Sequence, residues 1–171
     1  MIAALARRRR SGETADRLCV EVSRRARDPA FYRDYRVADT IDGRFDLLAL
    51  HAWLVLDGLR KTGNDRLAQS FVDALFAHFE EALREQGAGD IGMSRRMKKM
   101  ASAFYGRLRA YSESGDQNQL AAAILRNVYR GAPARVEQAA SLAKYMEDAR
   151  GRLSASCIDR GELELGAVPL L

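Results

Sequence analysis

Between Leu67 and Leu83 a large apolar residue falls at every fourth position: Leu67, Phe71, Leu75, Phe79 and Leu83. A strand would place Gln69, Asp73 and Glu81 on the same face as these residues, whereas a helix turns them away. The stripe therefore predicts a helix from Asp65 to about Gln86, ended by Gly87 and Gly89. Asp65 is placed to cap it after the loop Lys61-Thr62-Gly63-Asn64.

The same period runs through most of the chain. Leu18, Val22 and Ala26 place a first helix over about Thr14–Arg27, closed by Pro29, which disfavours helical geometry at Asp28. Phe31, Tyr32 and Tyr35 read as a short connection whose rings pack onto the domain. Asp39-Thr40-Ile41-Asp42-Gly43 reads as a turn, with Gly43 supplying a positive φ. From Arg44 or Phe45 to Gly58 the chain is apolar around most of its circumference, which marks a central core helix. Met93, Met97, Met100, Phe104, Leu108 and Tyr111 line a fourth helix, capped by Asp90 or Ser94. Asp116 and Gln119 open a fifth, ending near Gly131, and Pro133 opens a sixth that reaches about Arg150. Beyond Gly151 the period is lost, and Leu163 and Leu165 alternate with glutamates in a way that allows a short strand or an extended arm.

The expected architecture is all-α. A single compact, bundle-like helical domain spans residues 14–150, after a flexible basic segment over 1–13 and before a tail over 151–171 that is packed on the domain or partly loose. The short apolar start before Arg7, Arg8, Arg9 and Arg10 has the reverse order of a secretory signal. No apolar run approaches the roughly 18 residues of a membrane-spanning helix.

Positive charge is unevenly spread. The net charge of +5 includes one cluster at Arg7–Arg10 and a second at Arg95, Arg96, Lys98 and Lys99, extended by Arg107 and Arg109. Such clusters serve as solvated helix faces or meet lipid headgroups, acidic proteins or nucleic acid. Zinc-finger, RNA-recognition and basic-zipper signatures are absent, so DNA is not expected as a partner and RNA ranks low.

Enzyme chemistry has little support. His51 and His78 belong to no HExxH or Glu-x-x-His pattern. Gly87-Ala88-Gly89-Asp90-Ile91-Gly92 follows no strand and is neither a dinucleotide nor a P-loop motif. Cys19 and Cys157 stand far apart, with no CxxC or haem-attachment spacing, and read as buried thiols. No cofactor or metal is expected.

Three strings, taken in order, resemble the ubiquinol-cytochrome c chaperone family. The first is Phe31-Tyr32 with Asp39-Thr40-Ile41-Asp42-Gly43-Arg44-Phe45-Asp46 and Leu47-Leu48-Ala49-Leu50-His51. The second is Leu83-Arg84-Glu85-Gln86-Gly87-Ala88-Gly89-Asp90. The third is Met97-Lys98-Lys99-Met100 with Phe104-Tyr105-Gly106-Arg107 and Ala110-Tyr111. The resemblance covers roughly Phe31 to Arg130, and the short chain is similar to bacterial rather than mitochondrial members.

The resemblance implies a non-enzymatic assembly chaperone for the cytochrome bc1 complex, with cytochrome b or its nascent chain as client. It brings with it the neighbourhood of the ribosome and a small assembly partner, neither of which the residues themselves specify; an anionic membrane surface is a contact that the basic clusters allow. The implied location is the cytoplasm, peripheral on the cytoplasmic face of the inner membrane. Candidate contacts carried over are Arg44, His51, Asp90, Lys98, Lys99, Tyr105 and Arg107. Each has a plainer role open to it: Arg44 pairing with Asp42, His51 in the core, Asp90 as a cap, the lysines as solvated surface, and Tyr105 and Arg107 in helix packing. A general helical scaffold is the alternative reading, ahead of a small-molecule enzyme or an RNA-binding factor.

Overall fold

The structure is a computed structural model describing residues 2–85 and 90–171, with side chains described over 9–85 and 92–171. Among the described residues there are eight α-helices and one 3-10 turn, with no strand. They are α1 (Ile2–Ala26), α2 (Pro29–Arg33), α3 (Ile41–Lys61), α4 (Asp65–Glu85), α5 (Asp90–Ser112), α6 (Gln117–Asn127), the 3-10 turn (Pro133–Arg135), α7 (Val136–Arg152) and α8 (Ala155–Arg160).

The central helix behaves as its composition requires. One side of α3 places Leu47, Leu50, Trp53 and Leu54 in a core shared with α6 and α7. The other side places Ala49, Ala52, Val55 and Leu59 in a second core shared with α1 and α4. α6 lies along α7 and α1 along α4, so α3 separates two helix pairs and is packed by both. Each large side chain buried there contributes roughly 1.5–3 kcal/mol over an exposed one.

Several helix ends differ from the expected ones. α1 starts at Ile2 rather than Thr14. The aromatic connection contains α2, started by Pro29 in its first turn and by Asp28, whose carboxylate accepts from the Ala30 N–H at 3.0 Å. The turn expected at Asp42-Gly43 is instead the first turn of α3: the Thr40 hydroxyl accepts from the Gly43 N–H at 3.2 Å. Gly43 needs no positive φ; it is buried against the Ala38 carbonyl, with no room for a side chain. Asn64, not Asp65, caps α4 by accepting from the Leu67 N–H at 3.2 Å. Asp116 caps α6 as expected, accepting from the Gln119 N–H at 2.8 Å, but Gln119 reaches back to the Gly115 N–H rather than to Asp116.

The tail forms no strand: it holds a short helix and then a stretch without regular structure that packs on the domain through Leu165 and leaves Leu170 and Leu171 exposed. Ser154 caps the short α8, and Gly161 ends it at φ 77°. Cys157 and Ile158 are buried, and Leu165 docks in the core at 2% exposure. Asn64 ties the start of α4 to α8 through a 2.9 Å hydrogen bond to Asp159. Both cysteines are free and buried. Burial, with a smaller push from Asp16, raises the Cys19 thiol to about 12, so it stays protonated at neutral pH.

Candidate functional site

Where the start of α3 meets α5 and α6, the surface opens into a groove of about 530 Å³. Its apolar surface comes from Ile41, Phe45, Met100 and Ala103, and its basic lining from Arg96, Lys99, Arg107, Arg126 and Arg130. Ile41, Phe45 and Met100 also line an adjoining hollow of about 260 Å³, which continues past Leu48, Phe79 and Leu83 to Tyr32 and Arg44. The two form one trough, apolar along its length and basic at both ends.

The basic end rests on a buried carboxylate. Asp46, one position past Phe45, is fully buried and pairs with Arg107 Nε at 2.6 Å and Arg130 Nη2 at 2.8 Å. Burial pushes the Asp46 carboxyl up, against the opposing pull of the two guanidiniums. Arg107 also lies over the Phe45 ring, 5.0 Å from its centroid. Arg130 holds a left-handed backbone at φ 55°, unusual outside glycine, and its guanidinium donates back to the Asn127 carbonyl. Arg96, Lys99 and Arg126 have no ion pair among the described residues. The groove therefore holds five basic groups against Asp42 and Asp46, a net charge of +3.

The seven sequence-derived candidates do not converge on one place. Lys99 and Arg107 line the groove, and Arg44 stands at the far end of the trough, paired with Asp39 at 2.7 Å rather than with Asp42. Lys98 is exposed and does not line the groove. Tyr105 is half exposed on the side of α5 that meets α4, stacked on Phe76 at 6.0 Å. Asp90 begins α5, and its side chain lies outside the described residues.

His51 takes the plainer of its two readings. At 1% exposure it is a core residue between Phe31 and Tyr145, and its Nδ1 donates to the Leu47 carbonyl at 2.8 Å. Sequence reading passed over Arg126 in α6 and Arg130 in the turn beyond it, which no shared helical spacing relates. It also passed over Asp46, a carboxylate inside an otherwise apolar run.

A second buried carboxylate, Asp57, ties α3 to α7. It receives Arg150 at 2.7 Å, Lys61 at 2.7 Å and Arg60 at 2.9 Å. Burial pushes its carboxyl up, but the three hydrogen bonds together outweigh this and hold it at about 2, below the usual 3.8. Burial, against the Leu47 hydrogen bond, pushes the His51 imidazole down from 6.5 to about 4.

The sign of both shifts is the same. Between 6.5 and about 4 the unfolded chain binds a proton at His51 that the folded chain refuses, so stability falls as pH drops through that window. Between 3.8 and about 2 the same holds for Asp57. The urea midpoint is expected to fall in two stages on acidification, the upper stage shrinking in His51→Gln and the lower in Asp57→Asn. A midpoint that is flat from neutral pH to 4 in the unaltered chain would contradict the His51 assignment.

No group of three or more His, Cys, Asp or Glu side chains that could hold a metal ion occurs among the described residues. No described helix is long and apolar enough to cross a membrane. What the trough offers is adaptable apolar contact from phenylalanine, leucine and methionine, edged by fixed positive charge.

The family model described as ubiquinol-cytochrome C chaperone matches residues 33–160. The chain belongs to the ubiquinol-cytochrome c chaperone family. The crystal structure of the Cbp3 homolog from Brucella abortus is similar over 98% of each chain, at 32% sequence identity and a TM-score of 0.81. No curated protein matches. The part matched by the chaperone family model contains α3 to α8, and with them every residue lining the basic groove and Asp46.

Proposed function

We propose that the protein is a non-enzymatic assembly chaperone that holds newly made cytochrome b during biogenesis of ubiquinol-cytochrome c reductase. The observation that carries this reading is the trough itself: an open, apolar-floored channel with charged ends, on a member of a chaperone family. An apolar segment of the client lies against Phe45, Met100, Phe79 and Leu83. Acidic groups beside that segment meet Arg96, Lys99 and Arg126, which have no carboxylate partner among the described residues. Lys99 and Arg107 at one end and Arg44 at the other are the contact candidates this arrangement favours. Lys98, Tyr105 and Asp90 belong to the surface around it. The work is done in the cytoplasm, peripheral to the inner membrane, near the ribosome that makes the client and with a small assembly partner where the cell has one.

The test places a photoreactive residue at Met100 and, as a control, at the exposed Ala140 of α7, and irradiates cells during cytochrome b synthesis. Cytochrome b is expected to crosslink at position 100 and not at 140. Lys99→Glu with Arg126→Glu is expected to cut the yield about tenfold, since rim charges steer encounter and suppress mismatched partners. Equal yields at the two positions, or none at 100 while other proteins are captured there, would overturn the reading.

A further inference from the structure

α5 carries six basic residues and one acidic residue, a net charge of +5 that equals the charge of the whole chain. Arg107 is paired with Asp46 and Arg109 with Glu113. Arg95, Arg96, Lys98 and Lys99 are all exposed, with no ion pair among the described residues. We propose that this face of α5 docks on an anionic phospholipid surface and turns the mouth of the trough toward it. The proposal rests on the peripheral-membrane reading above and names the surface and orientation that reading leaves open.

Helical spacing sets the orientation. Arg96, Lys99 and Ala103 share the side of α5 that lines the groove, while Arg95, Lys98 and Ser102 point outward beside them. The basic face and the groove mouth therefore share an edge, and Arg126 stands on the opposite lip. A negatively charged plane laid on that edge meets both lips.

A bilayer fits this face better than nucleic acid because apolar surface opens along the same edge. Ile41 is 70% exposed at the mouth, beside Phe45 and Met100. Tyr105, 52% exposed, stands at the other margin of α5, and tyrosine favours the headgroup level of a bilayer. A duplex would cover that apolar surface with sugars and phosphates; a headgroup region accepts it. Docked in this way, an apolar segment leaves the trough for the bilayer without crossing bulk water.

The experiment is vesicle flotation of the full chain, with vesicles of phosphatidylcholine alone and with phosphatidylglycerol added. Binding is expected to the anionic vesicles only, and to weaken as salt is raised. Each basic residue near such a surface is worth about fivefold in partitioning, so Arg95→Glu with Lys98→Glu is expected to lose more than about 30-fold. The same charge change placed elsewhere, Arg66→Glu with Lys144→Glu, is expected to lose far less. Equal losses in the two variants, or wild-type binding to neutral vesicles alone, would overturn the proposal. So would displacement from anionic vesicles by a short RNA duplex that binds more tightly. Since Arg95 and Lys98 lie outside the groove, crosslinking at Met100 should survive in their variant; its loss in wild type would strike the client reading and leave the vesicle result standing.

Discussion

Replacing Asp46 with alanine is expected to cost about 3–5 kcal/mol of folding stability, the usual penalty for removing one member of a buried ion pair. For a chain of this size that lowers the melting temperature by roughly 10 °C or more. The loss arises because Arg107, whose side chain is only 16% exposed, is left with its charge and no counterion. Arg130, at 51%, can turn to water and adds less. The contrasting variant is Asp46→Leu with Arg107→Met, which removes the buried charges together and is expected to recover much of the loss. Thermal melts of the two variants separate the outcomes. A melting point for Asp46→Ala within about 2 °C of wild type would mean that Arg107 finds another partner or water, which the burial of the pair argues against.

Gly43→Ala is expected to lose about 3 kcal/mol, at the upper end for an overpacked site. A Cβ built there would overlap the Ala38 carbonyl oxygen and sit 3.0 Å from its carbonyl carbon, so backbone rather than a flexible side chain must give way. The connection from α2 would have to lift off the first turn of α3, carrying Ile41 and Phe45 out of position in the trough. Gly106→Ala is the natural control. Gly106 lies within α5, and a methyl group added there would meet nothing within 4 Å, so the change is expected to stabilise by up to about 1 kcal/mol through helix propensity alone. Chemical denaturation of both variants reads the comparison directly, and a Gly43→Ala midpoint equal to wild type would show that the approach to Ala38 is not tight.

These two positions mark how much of the molecule was legible beforehand. The hydrophobic period located the long helices, because burying a stripe of Leu67, Phe71 and Leu75 leaves a strong repeating trace. It could not find α8, whose six residues are under two turns. Gly43 was visible as a glycine beside an aspartate, which reads equally as a turn and as a close approach inside a helix. Only the position of Ala38 decides between them. The candidate site was half legible for the same reason. Lys99 and Arg107 stand on one regular helix, so their shared side follows from spacing. Arg126 from α6 and Arg130 from the turn after it reach the same groove through a tertiary arrangement that no local pattern encodes. His51 sits in a string of family character, yet Phe31 and Tyr145 close over it from other elements, and that closure cannot be read along one helix.

The two cores on either side of α3 bear on how the protein unfolds. Because one helix supplies a wall to each, opening the α6–α7 side strips Leu47, Leu50 and Leu54, and opening the α1–α4 side strips Val55 and Leu59. Neither half retains a covered α3 without the other. The molecule is therefore expected to lack an independently stable half and to unfold in a single cooperative transition. The trough, assembled from the start of α3 and helices of both sides, exists only while that unit is whole.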